Sequence, residues 1–242
     1  MTSRTALITG ASGAIGSAIA RLLAGEGMSL ALHCHRNRDV TEALASELPM
    51  PTCVVSSDLA DAEAVAAMFG QVEVELGLPQ ILIHSAGVLR DAFLILMKEE
   101  SWDECLDVSL KGAFLCTKQA LRGMTKAKWG RIVYIGSTAG LTGDVSRGNY
   151  SAAKAGLVGL ARSVAREVGR GGITANVVCP GVIDSPMASG MSEKRRTELL
   201  ARIPSGRLGT TNEVASLVRY LVSEDASYVT GAVIPIDGGL SM

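Results

Sequence analysis

The sequence predicts an α/β fold: a doubly wound parallel sheet of about seven strands, carried by a single domain over residues 1–242. Three observations predict it. Short apolar, β-branched runs recur at "TALIT" (5–9), "MSLALHC" (28–34), "TCVVSS" (52–57), "QILIHS" (80–85), "RIVYIGS" (131–137), "ITANVVC" (173–179) and "AVIPI" (232–236). Longer stretches of helical character separate most of them: 15–25, 39–48, 62–76, 102–125, 150–168 and 211–221. Strand–helix alternation means parallel strands joined by crossover helices. The strand runs are continuous rather than alternating, as expected where helices cover both faces of a sheet.

The first strand leads into "ALITGASGAIGSAIARLLA", which reads as strand, tight turn and Ala-rich helix. Gly10, Gly13 and Gly16 fall in the turn and the first helical residues. Glycine there lets the backbone approach a pyrophosphate, whose charge is stabilised by the helix N-terminus. A glycine turn alone has a plainer use, since many such turns need positive φ. Its place between the first strand and an Ala-rich helix favours nucleotide binding.

The second strand ends in "LALHCHRNRD". A dinucleotide without a 2′-phosphate is usually held by an acidic residue at this point, and none is present. His33, His35, Arg36 and Arg38 stand there instead. Arginine suits a 2′-phosphate, so NADPH is favoured over NADH. His33 and His35 are expected on one strand face, without a neighbouring carboxylate to complete a metal site.

The helix "GNYSAAKAGLVGLARSVAREV" (148–168) carries Tyr150 and, four places on, Lys154. That spacing puts both on one helix face. An ammonium beside a phenol is expected to stabilise the phenolate and lower the tyrosine pKa from ~10 towards working pH. Such a tyrosine exchanges a proton with a carbonyl oxygen. Ser137, closing the run "RIVYIGS", would stand at a strand end, where ligands lie in such folds. Tyr-x-x-x-Lys is common by chance. The joint pattern of glycine turn, strand-end serine and Tyr-x-x-x-Lys opening the next helix is not.

With these motifs the sequence resembles the short-chain dehydrogenase/reductase family over essentially its whole length, and within it the 3-oxoacyl-[acyl-carrier-protein] reductases. "TGASGAIG" is similar to the family's cofactor turn, "SDLAD" to its adenine-facing segment, and "HSAG" stands for its Asn-Asn-Ala-Gly. "GVLRDAFLILMKEESWDECLDVSLKGAF", "GITANVVCPGVIDSPM" and "VTGAVIPIDGGLSM" resemble the reductases too, the last being a tail that usually packs between subunits. The resemblance implies a Rossmann-like fold with Ser137, Tyr150 and Lys154 catalytic. It also implies a cofactor surface of Gly10, Ser12, Gly13, Ile15, Gly16, His35, Arg36, Asp58, Leu59, Ser85, Ala86, Gly87, Tyr150, Lys154, Pro180, Gly181, Ile183 and Ser185. Asp58 would face the adenine, Ile183 and Ser185 the nicotinamide amide, and Lys154 the ribose hydroxyls.

The sequence departs from the family at several points. Ala14 takes the middle glycine of the turn, with Gly13 one place early, and the basic residue common in that turn is missing. Ser185 stands where threonine is frequent, and Ser85 replaces the second asparagine of Asn-Asn-Ala-Gly. Ser109 replaces the asparagine that completes a catalytic tetrad by holding a relay water near the lysine. The relay is expected to survive through a shifted water.

The implied activity is NADPH-dependent reduction of a 3-oxoacyl thioester, on acyl carrier protein or CoA, to the 3-hydroxyacyl thioester. Two alternatives remain at this point. One is an NAD(H)-dependent dehydrogenase of a small alcohol, sugar or steroid. The other is a dinucleotide-binding sensor without turnover. An acidic carrier protein would need a basic docking face, for which Arg122, Lys126, Lys128, Arg131, Arg166 and Arg170 are candidates. The segment 184–209, rich in Pro, Gly and charge, is expected to form a substrate lid.

Composition bounds the rest. With 48% hydrophobic and 19% charged residues, the chain buries a large core and is not a disordered one. A net charge of −1 gives no indication of nucleic acid or an anionic membrane as partner. No apolar run approaches the ~18 residues of a membrane span, and the N-terminal residues lack a signal-peptide pattern. Five widely spaced cysteines without a CxxC suit reduced thiols, so a cytoplasmic protein without a metal site is expected. The apolar helices 102–125 and 150–168 point to an oligomer, and the family's usual assembly is a homotetramer.

Overall fold

The computed structural model describes residues 4–185 and 193–242. Its strands are β1 (Thr5–Thr9), β2 (Ser29–Cys34), β3 (Thr52–Ser56), β4 (Ile81–His84), β5 (Gly130–Ile135), β6 (Ile173–Pro180) and β7 (Val233–Ile236). They form one sheet in the order β3-β2-β1-β4-β5-β6-β7, with every neighbouring pair parallel. The doubly wound parallel sheet is thus as the sequence predicts. Strand order reverses between β1 and β4, which opens a crevice at their C-terminal ends.

The helices are α1 (Ala14–Gly25), α2 (Arg38–Glu47), α3 (Ala62–Leu76), α4 (Glu99–Leu106), α5 (Gly112–Ala127), α6 (Ala139–Thr142), α7 (Gly148–Val168), α8 (Glu193–Arg202) and α9 (Thr211–Val222). Every residue of β1, β2, β4, β5 and β6 is buried, whereas the edge strands β3 and β7 are partly open. This explains the unbroken apolar runs. Leu7, Leu82, Ile132 and Tyr134 face one core with Phe69, Met124 and Leu157 of α3, α5 and α7. Their neighbours Ile8, Ile83 and Val133 face the other, with Ile19 and Leu23 of α1 and Val214 and Val218 of α9. Each fully buried aliphatic side chain contributes about 1.5–3 kcal/mol, so the sheet is held from both sides.

Two expectations, the single helix over 102–125 and Arg131 as a docking residue, are corrected. The helix read over 102–125 is two helices joined by a π-helical turn at Asp107–Lys111, in which Gly112 N–H reaches back to Asp107 O. One extra residue per turn cannot be seen in an apolar pattern. The lid segment 184–209 contains α8, and its residues 186–192 lie outside the described residues. Arg131 is no docking residue, being 1% exposed. Its guanidinium donates to Ser223 O, Gly130 O and Gly172 O, pairs with Glu224, and lies 4.4 Å from the Trp129 ring centroid. Arg4 lies 3.7 Å from the same ring and also pairs with Glu224. This cluster closes the N-terminal ends of β1 and β5, far from the crevice. Among the described residues no helix is long and apolar enough to cross a membrane.

Candidate active site

The glycine turn is shaped by backbone crowding. Gly10 has φ +65°, and a side chain there would come within 2.9 Å of the Ala86 backbone. A side chain on Gly16 would run into Gly10 O. Gly13 is the N-cap of α1, in extended conformation, with no side-chain cap and no acidic residue in the first helical turn. The amide end of α1 is therefore open to an anion, as a pyrophosphate cradle requires. Ser12 and Ile15 are half-buried beside it.

The other expected cofactor residues follow the neighbouring strand ends. His35 and Arg36 are exposed just beyond β2, and Arg36 forms no ion pair among the described residues, whereas Arg38 pairs with Glu42. Asp58 is exposed and accepts the Ala60 N–H at 2.9 Å, with Leu59 buried next to it. Ser85 and Ala86 donate their N–H groups to Thr9 Oγ1, each at 3.2 Å, and Gly87 is exposed. Pro180 ends β6, and a side chain on Gly181 would press on Asp237 at 2.7 Å. Ile183 is buried and bridged to Gly209, while Ser185 is half-buried.

The catalytic candidates converge across the crevice. Ser137 stands just past the end of β5, and its Oγ accepts the Ala139 N–H at 3.1 Å. Gly140 lets α6 lie against α7, since a side chain there would meet the Lys154 carbonyl carbon at 2.8 Å. Lys154 is 4% exposed. Its Nζ donates to Ile135 O at 2.8 Å and lies 5.5 Å from the Tyr150 ring centroid. Ser109 comes from the π turn and is wholly buried, its Oγ without a partner among the described residues. A side chain on Gly87 would lie 3.3 Å from both Lys154 Nζ and Ser109 Oγ, so the three meet at one point.

Electrostatics overturns one expectation. Tyr150 is held above its ordinary pKa, not below it. Burial is the main cause; the Ser137 hydroxyl and the Arg147 charge pull the other way, and Cys105 and Asp91 reinforce burial. Burial lowers the lysine itself to about 8, against weak support from Cys105 and Cys179. Sequence spacing places two groups on one helix face but does not reveal how dry that face is, and desolvation wins here.

Other residues at the site carried no clear motif. Asn149 is buried, donating to Arg90 O and Ser101 O and accepting the Tyr150 N–H at 2.8 Å. It ties the start of α7 to the chain after β4, and an asparagine directly ahead of the tyrosine was its only sequence signal. Arg147 pairs with Asp91 and Asp144. His33 is buried and bridges Gly10 N and Ser57 O, whereas β2 ends at Cys34 and leaves His35 exposed beyond the strand. Burial lowers His33 to about 4, with the Ser57 carbonyl opposing. Among the described residues no group of three or more His, Cys, Asp or Glu side chains converges on one point.

An open helix end at the strand-order reversal, with a buried lysine and a tyrosine beyond the strand ends of the same sheet, suits a nicotinamide-dinucleotide-dependent oxidoreductase. A family profile described as "Enoyl-(Acyl carrier protein) reductase" matches residues 10–241. The chain is 45% identical over 240 residues to the 3-oxoacyl-[acyl-carrier-protein] reductase MabA of Mycobacterium avium, covering 99% of this chain and 91% of that one. It is 41% identical to the 3-oxoacyl-[acyl-carrier-protein] reductase FabG of Pseudomonas aeruginosa, over 99% and 98% of the two chains. Nodulation protein G of a Rhizobium species is 40% identical, over 100% and 98%. The chain belongs to the short-chain dehydrogenase/reductase family.

Proposed function

We propose that this oxidoreductase uses NADPH to reduce a 3-oxoacyl thioester to the 3-hydroxyacyl thioester. The carrying observation is that Lys154 Nζ bonds the last residue of β5 and lies 5.5 Å from the Tyr150 ring, with Ser137 just past that strand end, in a sheet whose first helix has an open amide end. The names of the relatives support the substrate class. The Gly10–Gly16 turn, Arg36, Asp58 and Lys154 are the residues to hold the dinucleotide, which when bound supplies the hydride. Ser137 Oγ holds the ketone oxygen, and Tyr150 delivers the proton as negative charge develops on it. A tyrosine whose pKa is raised remains protonated at neutral pH, which suits a donor working in the reducing direction. Lys154 holds the ribose hydroxyls with the ammonium hydrogens that Ile135 O does not take.

Exposed Arg122, Lys126, Lys128, Arg166 and Arg170 support an acidic carrier protein as the bearer of the thioester. Phe114, 49% exposed on α5, supports assembly into a homotetramer. Five free, buried cysteines suit a cytoplasmic setting.

The test is NADPH and NADH oxidation with acetoacetyl-CoA, carrier-bound acetoacetyl thioester and a simple diketone. The proposal expects NADPH to be preferred and thioesters to react fastest. Tight dinucleotide binding with no ketone consumed would instead establish a sensor. Arg36→Ala should raise KM for NADPH about tenfold and leave NADH unchanged; equal effects on both would reject the phosphate assignment.

A further inference from the structure

His84 has no part in the chemistry above, yet it lies under it. It ends β4 directly beside Thr9 of β1 and is 0% exposed. Its Nε2 is 3.1 Å from the backbone oxygen of Ser109, and its Nδ1 is 3.1 Å from Thr9 Oγ1. A carbonyl only accepts, so these partners assign the hydrogen to Nε2. Nδ1 then accepts from the Thr9 hydroxyl, whose oxygen in turn accepts the N–H groups of Ser85 and Ala86. A continuous chain of bonds thus runs from the π turn through β4 and β1 to the amides of Ser85 and Ala86. The π turn is where such a donor is useful. Gly112 N–H bonds Asp107 O in place of the carbonyl one residue on, and a shifted helix ladder opens its carbonyls to side chains.

We infer that His84 is a positioning residue for the proposed reduction: it fixes the π turn, and with it the Ser109 hydroxyl beside Lys154 and Gly87, relative to the cofactor-facing segment. It touches neither substrate nor dinucleotide and acts through Ser109. The imidazole fits this task because it spans the gap between Thr9 and a helix carbonyl while offering one donor and one acceptor. A protonated ring would turn a second N–H towards Thr9 Oγ1, which already accepts two. Burial, then the charges of Lys154 and His33, lower the ring to about 3 against the Ser109 and Val108 carbonyls, so the neutral form persists.

This inference rests on the proposed reduction, and its test separates the two. His84→Phe keeps the ring and removes both nitrogens, whereas His84→Asn restores a donor and an acceptor on a shorter arm. His84→Phe should lower kcat about tenfold while the dinucleotide Kd stays within about threefold, and His84→Asn should recover part of the loss. Amide exchange at Ser85 and Ala86 should quicken in the dinucleotide-free Phe variant. A Phe variant with reduced melting temperature but kcat within about twofold of wild type would make the residue merely structural and overturn the inference. Should His84→Phe not fold, Thr9→Val cuts the same chain at its other end and is read by the same kcat criterion. The ¹⁵N shifts of the His84 ring in wild-type protein should show Nε2 protonated, and a proton on Nδ1 would refute the network. If wild type reduces no thioester, the proposed function falls, while ring tautomer and amide exchange still test the network.

Discussion

The glycine turn and the Ser137–Tyr150–Lys154 face lie at neighbouring strand ends and are built by opposite means. At the turn the decisive features are missing atoms: Gly10 and Gly16 leave room that backbone would otherwise fill. Across the crevice the decisive features are polar atoms driven into dry surroundings. Lys154 and Ser109 are buried there, and Ser109 Oγ has no partner among the described residues. A steric cradle works in any solvent, whereas a buried polar cluster has properties set by what encloses it. The first should fail on added volume and tolerate changes of pH; the second should respond to pH.

The sharpest test of that contrast is Tyr150→Phe. Removing the hydroxyl should cost a factor of about 10³ or more in kcat, with the dinucleotide Kd unchanged in a fluorescence titration. Most of the activity surviving would remove Tyr150 from its role. Next comes Gly16→Ala, which adds one carbon against Gly10 O. It should weaken dinucleotide binding by about tenfold or more and lower the melting temperature, since overpacking costs about 1–3 kcal/mol. Unchanged affinity would mean that the turn yields easily. The third test concerns Lys154, whose pKa falls from 10.5 to about 8 on folding. Above about 8 the folded chain has released a proton that the unfolded chain still holds, so stability from this group rises with pH up to the unfolded value. Dinucleotide-free wild type should therefore gain stability relative to Lys154→Met between those limits, and parallel denaturation curves would contradict it.

What was legible in the sequence divides along the same line. Buried strands declared themselves as apolar runs, and the turn as glycines, because both follow from local sterics and burial that a pattern records. Tyr150 and Lys154 were placed on one face by spacing alone. The direction of the Tyr150 shift differs from the expectation because it is set first by burial, helped by Cys105 and Asp91 from other segments, and burial outweighs the Ser137 hydroxyl and the nearby Arg147 charge. Arg131 looked like a surface cation until Trp129 and Glu224 closed over it. The π turn was hidden because a one-residue insertion leaves hydrophobic content intact. The bonds of His84 and Asn149 were hidden because no motif encodes contacts to backbone oxygens.

The stacked cluster at the base of the sheet gives the molecule an optical asymmetry. Of its two tryptophans, Trp129 is flanked by the guanidiniums of Arg4 and Arg131 and donates to Glu224 at 3.3 Å. Trp102 belongs to α4, next to the Ser101 oxygen that Asn149 grips. Emission from the two indoles therefore reports opposite ends of the same sheet. Single-tryptophan versions of the chain would show whether the mouth loosens before the base gives way.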